Sequence, residues 1–129
     1  MIVAIVMCSS SKVRKECSAQ HMYSSERFKA NLIIAKQKSD VCYILSGKYG
    51  LLNLDEIIKY YDTDLNHASD AQLIYLVEEL KKQMNLSFET SSIEKVITDA
   101  SGKYLEVIAC AMKQLNFLEK LDSRKCTFH

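Results

Sequence analysis

The sequence contains no proline, no tryptophan and only three glycines. Without proline, no residue rigidly interrupts a helix or removes an N–H group from a strand, so glycine, asparagine, aspartate and serine must mark the turns. Each glycine is therefore a candidate for a sharp turn or for a close approach of the backbone to a ligand. Two of them, Gly47 and Gly50, lie in one short segment.

Cysteine pairs and long apolar runs are also lacking. The five cysteines are an odd number without any CxxC spacing, and the opening apolar run, Ile2–Met7, is short and has no basic leader. We therefore expect reduced thiols, no signal peptide and a cytoplasmic protein. No run approaches the roughly 20 apolar residues that span a bilayer, so we expect no membrane partner.

The formal net charge of +1 argues against a partner that is recognised mainly by electrostatics. A neutral total can nevertheless hide a basic patch, and several basic residues lie close together in the first part of the chain: Lys12, Arg14, Lys15, Arg27 and Lys29. Charge alone thus neither favours nor excludes nucleic acid as a partner. It also specifies no oligomeric state.

The histidine spacing predicts no metal site. His21, His67 and His129 stand apart, and they form neither an HxxxH pair nor a Cys/His cluster. We therefore expect no metal and no cofactor.

The hydrophobic pattern predicts a single domain of the α/β class. The 129 residues suffice for a full core, and apolar strand-like runs alternate with amphipathic helical segments. Alternation of this kind is typical of βαβ units, so we predict one three-layer domain with a small, mainly parallel sheet flanked by helices. The predicted strands are Ile2–Met7, Val41–Leu45 and Ile93–Ile97, and the predicted helices begin after Ser24, at Ser69 and after Ser101.

The connection from Gly47 to Ala68 is longer than an ordinary loop, which indicates a function or short structure of its own. We predict a short helix at Asp55–Lys59 within it. After Asn116 we predict a last helical turn and a short strand at Lys125–Phe128.

Polar residues follow each of the three predicted strands. Because ligands bind outside the carboxyl ends of strands in an open α/β sheet, we predict that these segments line one polar pocket. The segments are CSSSK at Cys8–Lys12, SGKYG at Ser46–Gly50 and DASGKY at Asp99–Tyr104.

The first segment can turn backbone N–H groups, the hydroxyls of Ser9 and Ser10 and the ammonium group of Lys12 towards an anion. The alternative interpretation of this segment is an ordinary polar turn, with Cys8 as a small buried residue. Cys8 and Arg14 also have the Cys-x5-Arg spacing of low-molecular-weight tyrosine phosphatases and arsenate reductases. That resemblance implies a thiolate nucleophile, whereas a resemblance to phosphocysteine carriers of sugar transport implies a phosphorylated cysteine.

In the second segment, Lys48 can bind an anion and Tyr49 can stack on a ring. The alternative interpretation is that the two glycines only form a turn. Farther along, Tyr61 and Asp62 place an aromatic ring beside a carboxylate, which can hold a flat base or act as a general base. In the third segment, Asp99 contributes a carboxylate to the pocket or only caps the last helix.

Taken together, the segments resemble a known family. LSGKYGLL (45–52) and DASGKYLEVI (99–108) are similar to segments of the YaaA family of peroxide-stress proteins. CSSSK and MYSSERFKAN (22–31) look like a related group of small bacterial and phage proteins, in which a Tyr-Asp-x-Thr-Leu element also occurs; here it reads YDTDL (61–65). The Cys-Ser-x-x-Lys element with a following Tyr-Ser is also similar to the core of archaeosine synthase.

These resemblances imply a ligand drawn from nucleic acids or their components. They lead to the hypothesis of a protein that binds a nucleotide, nucleoside or nucleobase, with base modification or cleavage at an N-glycosidic bond as its chemistry. A non-catalytic, DNA-associated protein of oxidative stress is the alternative, and a cysteine phosphatase is the third. The predicted catalytic residues are Cys8, Lys12, Asp62 and Asp99, and the predicted ligand-binding residues are Ser9, Ser10, Tyr23, Ser46, Gly47, Lys48, Tyr49, Gly50, Tyr61, Ser101 and Tyr104.

Overall fold

A five-stranded sheet forms the centre of the computed structural model, which describes residues 1–122. Helices flank this sheet, as predicted for a three-layer α/β domain. The strands are β1 (Ile2–Met7), β2 (Cys17–Ser18), β3 (Val41–Ser46), β4 (Gly50–Asn53), β5 (Ile57–Ile58), β6 (Lys95–Thr98) and β7 (Leu121–Asp122). The α-helices are α1 (Ala19–Met22), α2 (Glu26–Lys38), α3 (Asp70–Ser87) and α4 (Gly102–Gln114), and short 3-10 helices span Leu65–His67, Thr90–Ser92 and Leu118–Lys120.

Strand β1 is the middle of the sheet, whose order is β4-β3-β1-β6-β7. It runs parallel to β3 and to β6, while β4 is antiparallel to β3. Its inner residues Val3, Ala4, Ile5 and Val6 are fully buried, which explains why the strand is apolar at every position rather than at alternate ones. The predicted mainly parallel sheet is confirmed.

The chain changes direction across the sheet at β1. It passes from β1 to β3 through α2 and then returns past β1 to β6 through α3. Right-handed crossovers therefore place α2 on one face and α3 with α4 on the other. A topological switch point results between β1 and β6, and ligand crevices of open α/β sheets form at such points.

Serine side chains fix the starts of two predicted helices. Ser69 caps α3 in a reciprocal capping box with Gln72, as the sequence indicates. The cap of α2 is Ser25, which accepts a hydrogen bond of 3.2 Å from the Phe28 N–H, and not Ser24. Ser24 instead donates its N–H to the Ser11 carbonyl at 2.9 Å, which keeps it in the preceding loop.

The helix predicted at Asp55–Lys59 is wrong. A turn closes there instead, with the Glu56 N–H donating to the Asn53 carbonyl at 3.2 Å, and the β-branched pair Ile57–Ile58 forms strand β5. Strand β5 pairs antiparallel with β2, so this part of the chain is held by the segment that follows β1. The sequence reading missed this pairing because each strand is only two residues long.

The remaining boundaries differ slightly from the predictions. Strand β6 begins at Lys95 because the Ile93 N–H closes a 3-10 turn on the Thr90 carbonyl. The helical turn predicted after Asn116 is present as a 3-10 helix, and the strand predicted at Lys125–Phe128 lies outside the described residues. Among residues 1–122, no helix has the length and apolar character needed to cross a membrane.

The amide of Gln83, on α3, completes the hydrogen bonding of the edge strand β4. Its Oε1 accepts from the Leu51 N–H at 2.8 Å, and its Nε2 donates to the carbonyls of Tyr49 at 3.0 Å and Leu51 at 3.3 Å. A side chain at Gly50, whose φ is +75°, would collide with this amide. Gly50 therefore permits a close approach within the protein, rather than of a ligand.

We predict that Gln83→Ala lowers the free energy of unfolding by about 1–3 kcal/mol, because partly buried backbone groups of β4 lose their partners. Urea denaturation followed by circular dichroism measures this loss. Lys82→Ala is the matched control on the same helix, since the Lys82 side chain is 71% exposed and its removal should change stability by less than about 0.5 kcal/mol. Equal losses in the two variants would contradict the role of Gln83.

Candidate functional site

A polar cleft of about 640 Å³ opens at the switch point between β1 and β6. Four parts of the chain line it: the loop after β1, the start of α2, residues 62–67 and the start of α4. Its hydroxyl-bearing residues are Ser9, Ser10, Ser11, Ser25, Thr63, Ser101 and Tyr104, and its charged residues are Lys12, Arg27, Asp62 and Asp64. The predicted meeting of the first and third polar segments at one pocket is therefore present.

One wall of the cleft suits an anion. Helices α2 and α4 both begin there, with Ser25 and Ser101 at the N-cap positions, and helix starts present free N–H groups and partial positive charge. The backbone N–H groups of Ser9 and Ser10 have no hydrogen-bond partner within residues 1–122. Lys12 and Arg27 add full positive charges to the same cleft.

Carboxylates also line the cleft. Asp62 and Asp64 are both exposed and both line the cleft. Asp64 uses one oxygen to cap the short 3-10 helix, accepting from the Asn66 N–H at 3.0 Å, while its other oxygen lies 3.9 Å from Nε2 of His67. These side chains accept hydrogen bonds from N–H or O–H donors. The cleft is thus bipolar, with both cationic and anionic side chains in its lining.

A buried cluster of hydroxyl groups surrounds Cys8. Tyr23 and Tyr61 share a hydrogen bond of 2.5 Å between their hydroxyls. The Tyr104 hydroxyl accepts the Leu65 N–H at 3.3 Å. Burial raises the pKa of the three tyrosines above the ordinary value, so all three remain protonated at neutral pH.

This cluster positions Lys12. The Lys12 ammonium lies 4.6 Å from the centre of the Tyr61 ring, within the range of a cation–π contact. The Tyr61 ring in turn meets the Tyr49 ring edge-on at 5.4 Å. Tyr61 and Tyr23 are almost fully buried, so they support the cleft from behind rather than stack on a ligand.

Asp99 lies outside the cleft lining and ties its framework together. Its Oδ1 accepts the Met7 N–H at 2.7 Å, and its Oδ2 accepts from Asn31 at 2.8 Å and from Arg27 at 3.0 Å. The same Arg27 donates to the Cys8 carbonyl at 3.0 Å. Burial raises the pKa of Asp99, while the three donors act in the opposite direction. Since both oxygens are occupied, the geometry gives this carboxylate a positioning role.

The second predicted segment faces a neighbouring cavity. Gly47 and Lys48 line this side cavity, of about 540 Å³, and do not line the cleft. Residues 62–67 form the wall between the two, since Asp62, Thr63, Asp64 and His67 line both. The Ser46 hydroxyl faces inward and accepts the N–H groups of Lys48 at 3.1 Å and Tyr49 at 3.0 Å, which shapes the turn.

Arg14 is not among the residues that line the cleft. Its guanidinium lies 4.7 Å from the centre of the Tyr60 ring, and the arginine that reaches Cys8 is Arg27. The structure therefore does not bring the Cys-x5-Arg pair around one anion. The phosphatase hypothesis stays a prediction, and Arg14 contributes no observation in its favour.

Several residues of the site were missed by the sequence analysis. Arg27 and Asn31 are four positions apart on α2, so they share one helix face, and this spacing beside an apolar stripe is the available signal. Asp64 and His67 follow Asp62 closely in sequence, but nothing in a loop of that length indicates which side chains turn inward. In the described part of the chain, no three His, Cys, Asp or Glu side chains group as a metal site.

Comparison with family models matches residues 3–123 to a family of unknown function, DUF6884. Comparisons with curated proteins and with solved structures gave no significant match. The matched range includes every residue that lines the cleft and all described strands, apart from Ile2 at the start of β1.

We predict that Asp99→Ala lowers the free energy of unfolding by about 3 kcal/mol, because a buried N–H group and two side-chain donors lose a charged acceptor. Chemical denaturation measures the change. Asp70→Ala is the control, since Asp70 is exposed in the first turn of α3 and contributes at most about 1 kcal/mol through the helix dipole. A loss for Asp99→Ala no larger than the control's would show that the carboxylate does not hold the framework.

Proposed function

Because the chain belongs to the DUF6884 family, whose function is unknown, we propose from the geometry of the cleft that the protein binds a nucleotide or nucleoside there. The observation that carries this proposal is that one cleft combines N–H groups and the cations Lys12 and Arg27 with the carboxylates of Asp62 and Asp64. A nucleotide has the matching polarity, since it joins an anionic phosphate to a sugar and a base that carry O–H and N–H donors.

In the proposed binding mode, the phosphate lies against the loop after β1 and the starts of α2 and α4. Ser9, Ser10 and Lys12 supply N–H groups, hydroxyls and charge, as anion-binding loops at helix starts do. The sugar or base faces Asp62 and Asp64, which accept its donors. A cleft of 640 Å³ lies within the roughly 300–1,000 Å³ usual for small-ligand sites.

We further propose that the family is related to YaaA-like proteins. This relation is supported by the position of the motif residues, since Cys8, Ser9, Lys12, Ser101 and Tyr104 all line the cleft. Five motif residues thus share one cavity, while Gly47 and Lys48 line the side cavity. A cytoplasmic location, where nucleotides and reduced thiols are abundant, is part of the same proposal.

The binding proposal is tested by thermal shift with nucleobases, nucleosides, nucleoside monophosphates, inorganic phosphate and duplex DNA. A ligand at 100 times its Kd stabilises the folded state by about 2.7 kcal/mol, which shifts Tm measurably. We expect a nucleotide to shift wild type and to lose most of that shift in Lys12→Met, which removes the charge and keeps the apolar stem on Tyr61.

Lys29→Met is the matched control, because Lys29 is exposed on α2 and does not line the cleft. We expect it to keep the full shift. No shift with any nucleotide or nucleoside, or equal shifts in the two lysine variants, would contradict the proposal. A shift with duplex DNA alone, unchanged in Lys12→Met, would favour the DNA-associated alternative, with Arg14, Lys15 and Lys29 as the exposed contacts.

We propose Asp62 as the general acid or base if the bound ligand is transformed at its base or N-glycosidic bond. Asp62 is the one predicted catalytic carboxylate that lines the cleft, whereas both oxygens of Asp99 are occupied. We expect Asp62→Asn to lower turnover of that ligand by about 100-fold or more and to lower its affinity far less, because the amide oxygen still accepts a hydrogen bond. Product analysis by chromatography measures turnover, and Asp70→Asn is the control.

Unchanged turnover in Asp62→Asn would remove Asp62 from the chemistry. If neither wild type nor variant converts any ligand that gives a thermal shift, the protein binds its ligand without catalysis. That result would contradict the enzymatic part of the proposal.

A further inference from the structure

The side cavity has the chemistry of a second nucleotide site. Tyr75, which is 65% exposed, lines it together with the exposed Lys48, whose ammonium lies 5.3 Å from the centre of the Tyr49 ring. Gln72 adds an amide, and Ala71 and Leu76 add an apolar surface. An exposed aromatic face beside a lysine is the combination on which bases of single strands stack while their phosphates are neutralised.

The cleft and the side cavity lie next to each other. They share the wall at residues 62–67. The cleft by itself is already large enough for one small ligand. The side cavity, at about 540 Å³, adds nearly as much space again. A ligand that extends past this wall from the cleft therefore enters the side cavity first.

We propose that the side cavity binds a second nucleotide unit, joined by a phosphodiester to the unit in the cleft. This inference rests on the proposed function of the cleft. The base of the second unit stacks on Tyr75, and Lys48 pairs with the linking phosphate. Asp62 and Asp64, on the shared wall, accept sugar or base donors, and Lys48 offsets their repulsion of the linking phosphate, which passes this wall.

Two sources provide this chemistry, a free dinucleotide and the end of a single strand. Both present two linked units to the same surfaces, so they differ only in what lies beyond the second unit. The experiment separates them by strand length.

The test compares Kd values from isothermal titration calorimetry for a 5′-phosphorylated mononucleotide, the matching dinucleotide and a hexanucleotide. We expect wild type to bind the dinucleotide at least tenfold more tightly than the mononucleotide. Tyr75→Ala should lose this gain and keep mononucleotide affinity, whereas Tyr75→Phe should retain both. Ile74→Ala is the control, because Ile74 is equally exposed on the same helix and does not line the side cavity.

Lys48→Met should also lose most of the gain, and Lys59→Met, at an exposed lysine outside both cavities, should not. A hexanucleotide that binds more tightly than the dinucleotide identifies a strand as the source, and equal affinities identify the free dinucleotide. Mononucleotide binding without a dinucleotide gain, or a gain that survives in Tyr75→Ala, overturns the inference and leaves the proposed function intact. Absence of binding by every nucleotide overturns both.

Discussion

The carboxylate of Asp99 is the interaction on which the geometry of the cleft depends. It accepts hydrogen bonds from the Met7 N–H at the end of β1 and from the Arg27 and Asn31 side chains of α2. Asp99 itself is the residue that follows β6. Three elements from distant parts of the sequence are thereby fixed at one point. The side chain is only 7% exposed, so water offers little competition for these bonds. Through Arg27, the same network also fixes the Cys8 carbonyl at the base of the cleft.

The bipolar character of the cleft follows from topology and from one irregular segment. Reversal of the chain direction at β1 brings the starts of α2 and α4 to the same edge of the sheet, and both present unpaired N–H groups there. The carboxylates come from residues 62–67, which cross in front of the strand ends and divide the cleft from the side cavity. The helix starts thus supply N–H groups, and the irregular segment supplies the carboxylates.

The sequence was sufficient to predict the elements that bury continuous apolar runs or amphipathic stripes, because β1, β3, α3 and α4 depend on local pattern and on caps such as Ser69. It failed for β2 and β5, whose pairing is set by distant backbone partners and not by their own two residues. The same limit applies to the site. Strand-end residues such as Ser9 and Ser101 were located, but the inward turn of Tyr61 and the partners of Asp99 arise from tertiary packing.

The central claim is that a nucleotide phosphate binds between the loop after β1 and the start of α4. Because the chain of 129 residues has no proline, every residue after the first carries an amide N–H, so a two-dimensional ¹⁵N NMR titration can report on the whole backbone. We expect a nucleoside monophosphate to shift the amide signals of Ser9, Ser10, Lys12 and Gly102 most strongly. Shifts confined to residues outside the cleft, such as the exposed faces of α3 and α4, would contradict it.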